Sequence, residues 1–126
     1  MFMHKAKPAH PLVCASAVQG REVCNPRGED LGDIRELMID LDTGRVVYAV
    51  LSFGGFLSLG DKRFAVPWSA LSLDRAKNQF VLNMDQDSLL YVPKFDIDHW
   101  PDMTDPAWAK SVADHFTLTR RASAVA

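Results

Sequence analysis

Long apolar runs are missing from this chain of 126 residues. A membrane-spanning helix takes about 18 consecutive apolar residues, and the most apolar stretch, Val46 to Leu59, is broken by Ser52, Gly54, Gly55 and Ser58. The first residues carry positive charge at Lys5 and Lys7, and Ala15-Ser16-Ala17 resembles a cleavage site. Pro8 and Pro11 interrupt the place where a signal core of about 7 apolar residues would have to lie. Neither secretion nor membrane insertion is expected, and the expected location is cytoplasmic. Cysteine is scarce. Cys14 and Cys24 are ten positions apart, outside the C-x-x-C spacing of redox and zinc pairs, and a chain of this length folds without a disulfide. They read as idle thiols in a reducing compartment. Excess charge is absent too: 14 Lys+Arg against 16 Asp+Glu leave a net charge of −2. Phosphate neutralisation needs a concentrated basic surface, so no direct nucleic-acid partner is expected.

What is present is the composition of one folded domain, with 48% hydrophobic and 24% charged residues. Residues 1–14 carry Pro, Lys and His without periodicity and read as an N-terminal arm. From there the turn signals become regular: Asn25-Pro26-Arg27-Gly28, Asp42-Thr43-Gly44, Gly54-Gly55 with Gly60-Asp61, and Arg75 to Asn78. Closely spaced turns imply short antiparallel strands, expected at 22–25, 31–40, 45–53, 63–66, 71–73 and 80–82. The phase of Ile34, Leu37 and Ile39 changes along the second of these, which places a bulge near Arg35-Glu36. The third, Arg45 to Phe53, is apolar on both faces and is expected at the centre of the core. The expected fold is mainly β, a small barrel of about six short antiparallel strands. Its predicted core is Ile34, Leu37, Ile39, Val47, Ala49, Leu51, Phe64, Val66 and Leu82. A C-terminal extension over 94–126 follows the domain at 15–93. It contains an amphipathic helix at about 106–116, capped by Asp105-Pro106 and striped by Trp108, Val112 and Phe116.

Three motifs point to chemistry and stop short of it. Gly55 to Gly60 has the glycine spacing of a phosphate-binding loop, but Asp61 stands where the lysine must be and no hydroxyl residue follows it. Asp96, Asp98, His99 and Asp102 collect three carboxylates and an imidazole, so they are the metal candidates. A calcium loop opening at Asp96 would need a ligand where Trp100 stands and glycine where Pro101 stands. His4, His10 and His115 offer no H-x-x-x-H pair. No G-x-S-x-G turn and no Cys with a local His partner is found, and Asp40 with Asp42 reads as turn capping. No catalytic residue, metal or cofactor is therefore expected.

Taken as strings, the residues become more specific. Gly20-Arg21-Glu22-Val23 through Gly32-Asp33-Ile34, Met38-Ile39-Asp40 through Gly44, Tyr48 to Gly55, and Gly60-Asp61-Lys62-Arg63-Phe64-Ala65-Val66-Pro67-Trp68 resemble the PRC-barrel family. Phe95 to Pro101 and the Asp105-Pro106-Ala107-Trp108 helix start extend the likeness to its stand-alone bacterial members. The resemblance implies a small β-barrel of the kind found in the reaction-centre H subunit and in ribosome maturation factor RimM, where it looks like an adaptor that docks on partners. It supplies no catalytic residue. The leading expectation is a non-enzymatic interaction module that forms a homodimer or meets another protein through Phe56, Leu57, Trp108, Val112 and Phe116. A regulatory domain binding a small molecule or ion is the alternative, and an enzyme with an unrecognised site is the third reading. Because Asp61 opposes a phosphate, ATP with magnesium is expected to leave the melting temperature unchanged in a thermal-shift titration; a dose-dependent rise would contradict this reading of the loop.

Overall fold

Side-chain caps in the turns decide where the strands begin and end. In the computed structural model, residues 12–54 and 60–125 are described, with side chains through Phe116. Asp40 accepts the Asp42 N–H on Oδ1 at 2.9 Å, and the Gly44 N–H closes the turn on the Asp40 carbonyl at 2.7 Å. This turn joins β2, Asp30–Asp40, to β3, Arg45–Phe53. Before them come a one-turn helix α1, Ala15–Val18, and β1, Glu22–Cys24. After them come β4, Lys62–Pro67; β5, Leu71–Asp74; and β6, Gln79–Leu82. In the β5–β6 turn Asp74 accepts the Lys77 N–H at 3.2 Å, and Asn78 takes a left-handed φ of 56°. Asparagine tolerates that region better than most residues. The chain ends in β7, Phe95–Asp96, and helix α2, Pro106–Val125.

All the expected strands are present, but where about six were expected the described residues form seven. The strand order is β5-β6-β1-β2-β3-β4-β7. β7 is a two-residue strand held by register with Lys62 and Arg63 and by a 2.8 Å ion pair between Lys62 and Asp96. Two residues carry no periodicity, so this strand exists only through its partner. β1 and β6 pair in parallel, whereas every other pair is antiparallel. Among the described residues no ladder joins β5 to β7, so the sheet is not closed into a barrel by hydrogen bonds.

The bulge expected near Arg35-Glu36 is found. Ile34 faces Leu51 and Glu36 faces Val50, which leaves Arg35 as the extra residue. Its guanidinium Nε donates to the Ser52 hydroxyl at 3.3 Å. A second irregularity follows, in which Met38 faces Tyr48 but Ile39 faces Val46, leaving Val47 over.

Ala49 to Ser52 are buried in succession, as a strand covered on both faces must be. Ile34, Ala49, Leu51, Phe64, Val66 and Leu82 lie fully in the core, and Leu37 packs on its rim. Ile39 and Val47 do not belong to it, being 50% and 41% exposed. The cause is register. β4 pairs with β3 only from Tyr48 onward and β1 pairs with β2 only as far as Asp33, so among the described residues the far end of the β2–β3 hairpin has no strand on either side.

Helix α2 starts where the sequence signals it. The Asp105 carboxylate accepts the Ala107 N–H at 2.9 Å, with Pro106 in the first helical position. It runs to Val125, beyond the expected end near residue 116. Val112 and Phe116 enter the core, and Trp108 stands edge-on to Tyr48 with ring centroids 5.3 Å apart.

Leu51→Ala is expected to cost about 2–5 kcal/mol in a urea titration, because the site is fully buried. Val47→Ala should cost under ~1 kcal/mol. A large loss at Val47 in protein dilute enough to be monomeric would mean that the hairpin end is covered within the chain. Gly32 has φ +145°, and a Cβ there would run into the Ser52 carbonyl oxygen. Gly32→Ala should therefore lower stability by at least about 2 kcal/mol, and an unchanged urea midpoint would contradict the close approach of β2 and β3.

Candidate interaction surface

The Asn25–Glu29 turn carries the densest polar network. Asn25 is buried; its Nδ2 donates to Glu29 Oε1 at 2.7 Å and to the Met84 carbonyl at 3.2 Å. Its Oδ1 accepts the N–H groups of Arg27 and Glu29 at 3.1 and 3.0 Å. Arg27 bridges Glu29 and Asp85 at 2.9 and 3.0 Å, and the bonds from Asn25 and Arg27 hold the Glu29 carboxyl below its ordinary range. Exposed ion pairs of this kind add little stability. The buried amide carries more of the load, because it ties the β1–β2 turn to the segment after β6. In the sequence it reads as a turn; the amide's long-range bond to Met84 has no local signal.

Beside this turn lies a recess of about 70 Å³, with Cys24, Asn25, Lys77 and Gln79 in its wall. That is well below the roughly 300–1,000 Å³ of small-molecule pockets. Burial pushes the Cys24 thiol up, partly offset by a 3.3 Å hydrogen bond from Gln79 Nε2, so at neutral pH it is a protonated thiol and no nucleophile. Cys14 is exposed, and both thiols are free.

The acidic turn is organised by its own contacts. Asp96 is paired with Lys62, which holds its carboxyl below the usual range. Asp102 accepts the Thr104 N–H and hydroxyl at 3.0 and 2.6 Å, which lowers its carboxyl as well. Asp98 and His99 follow Asp96 in the turn, where the His99 N–H donates to the Asp96 carbonyl at 3.0 Å. Trp100 packs on Phe95 at 5.1 Å and donates from Nε1 to the Ile97 carbonyl at 2.8 Å. Among the described residues no three His, Cys, Asp or Glu side chains converge as a metal site.

Of the side chains expected to form the interaction surface, Phe56 and Leu57 lie outside the described residues, together with most of the phosphate-loop-like segment. Val112 and Phe116 are 1% and 2% exposed. They face the protein's own sheet, and Trp108 is half-buried against Tyr48. The helical stripe is therefore used within the chain, because the sheet leaves an apolar face beside β4 that α2 covers.

Exposed apolar side chains are found at the end of the β2–β3 hairpin, where Leu41 is 92% exposed and Ile39 and Val47 are exposed too, and elsewhere at Leu12, Leu90 and Tyr91. Sequence reasoning assigned Ile39 and Val47 to the core. The signal that was available is Leu41 itself, an apolar residue in a turn between two aspartates. Among the described residues no helix is long and apolar enough to cross a membrane. The family model of the PRC-barrel domain matches residues 13–89. No curated protein matches the chain.

Proposed function

We propose, from the premise that this chain belongs to the PRC-barrel family, that it is a non-catalytic interaction module that pairs with a second copy of itself through the end of the β2–β3 hairpin. PRC-barrel domains are generally non-catalytic, and the domain suggests an interaction or adaptor role. The observation that carries the reading is the exposed set of Ile39, Leu41 and Val47 on a hairpin end without flanking strands among the described residues. Contiguous exposed apolar surface is uncommon on monomers beyond a few hundred Å². A two-fold dimer is the commonest closed assembly and buries the same patch on both copies. A cytoplasmic setting belongs to the same reading and agrees with two free thiols.

Light scattering after size exclusion is expected to give about twice the 14.0 kDa chain mass at micromolar concentration. The double variant Ile39→Lys with Leu41→Lys should run as a monomer that still unfolds in one cooperative transition, since both positions are exposed within the chain itself. A wild type that is monomeric at tens of micromolar would overturn the self-association. Phe116→Glu is no substitute for this test, because a charge placed in the core unfolds the domain before it separates two copies.

A further inference from the structure

The turn that ends the β2–β3 hairpin carries charges of both signs beside its exposed apolar residues. Asp42 follows Leu41, Arg45 opens β3 shortly before Val47, and all four are exposed. Caps in the turn fix both charged positions. The Asp42 N–H donates to Asp40 Oδ1 at 2.9 Å, and the Arg45 N–H donates to Thr43 Oγ1 at 3.3 Å. The charged groups themselves have no such partner. Among the described residues neither the Asp42 carboxylate nor the Arg45 guanidinium takes part in an ion pair, whereas Arg27, Arg35, Lys62 and Lys110 all hold carboxylates. The other charges nearby are engaged elsewhere. Asp40 stands opposite Arg45 in the ladder but closes the turn with its Oδ1. Glu36 accepts from Gln19 at 3.4 Å, and Arg35 reaches Ser52 and Asp33.

Resting on the dimer proposed above, we infer that the second copy is recognised by charge: Arg45 of each protomer pairs with the partner's Asp42 across the two-fold axis, at the rim of the apolar patch of Ile39, Leu41 and Val47. A surface shaped for an acidic or a basic partner carries one sign. This one carries a cation and a carboxylate on the same short turn, and a two-fold axis brings each opposite its counterpart twice. The guanidinium suits the contact, because its planar fork grips a carboxylate through two parallel hydrogen bonds. Within one copy an exposed pair of this kind adds little. Beside apolar side chains that a second copy covers, the pair is shielded from water, and leaving either charge unmatched there is costly. Apolar burial supplies the affinity, and the two ion pairs fix the register, since a shifted docking strips both charges of their partners.

Sedimentation velocity over a concentration series reads the dimer dissociation constant. Arg45→Glu sets two carboxylates together at both contacts and Asp42→Arg sets two cations together, so each variant alone is expected to weaken the dimer by about tenfold or more. Mixed in equal amounts, the two single variants should recover a dimer of near wild-type strength, because each contact in the mixed pair again joins opposite charges. That recovery also shows that both variants are folded. Lys77→Glu, an equal change of charge in the β5–β6 turn, should dimerise as the wild type does. Single variants that dimerise like the wild type, no recovery in the mixture, or equal weakening by Lys77→Glu would overturn the charge pairing and leave the dimer standing. A wild type that is monomeric at tens of micromolar overturns the dimer itself, and the pairing with it.

Discussion

The antiparallel ladder between β2 and β3 is the constraint on which the other elements depend. At Gly32, opposite Phe53, the β2 backbone lies against the Ser52 carbonyl in a space that no Cβ fits. From there β3 carries Ala49, Val50, Leu51 and Ser52 into the interior in succession. β4 then lies along one side of β3 and β1 along the far side of β2, and β6 joins β1 in parallel. Helix α2 comes last in the chain and closes over what this arrangement leaves apolar. Hydrophobic burial supplies the driving force, but the ladder decides which apolar residues receive it.

The same constraint explains why Ile39 and Val47 differ from Ala49 and Leu51. All four are apolar residues in strands of high β propensity. Ala49 and Leu51 lie where the hairpin has strands or a helix around it, and Ile39 with Val47 lie past the last residue that β1 or β4 reaches. A strand that outruns its neighbours keeps its own ladder and leaves its side chains in water. The bulge at Val47 adds to this by breaking the alternation there. The outward hairpin end and the inward helix are therefore complementary: the apolar stripe that looked available for a partner is consumed by the sheet, while a segment that looked like core is left at the surface.

Local chemistry by itself determined the turns, the order and type of the main strands, the Arg35 bulge and the start of α2. Each of these rests on signals within a few residues: Asp caps, Asn in left-handed backbone, the phase of Ile34 against Leu37, and proline after Asp105. The strings from Gly20 to Trp68 carried the family as well. Only the tertiary structure decided the seventh strand, the parallel pairing of β1 with β6, the bond from Asn25 to Met84, the exposure of the hairpin end, and the burial of the helical stripe. Each of these is a relation between residues distant in the chain. Alternation along one strand states which residues share a face, and only the neighbouring strands and helix settle whether that face meets protein or water.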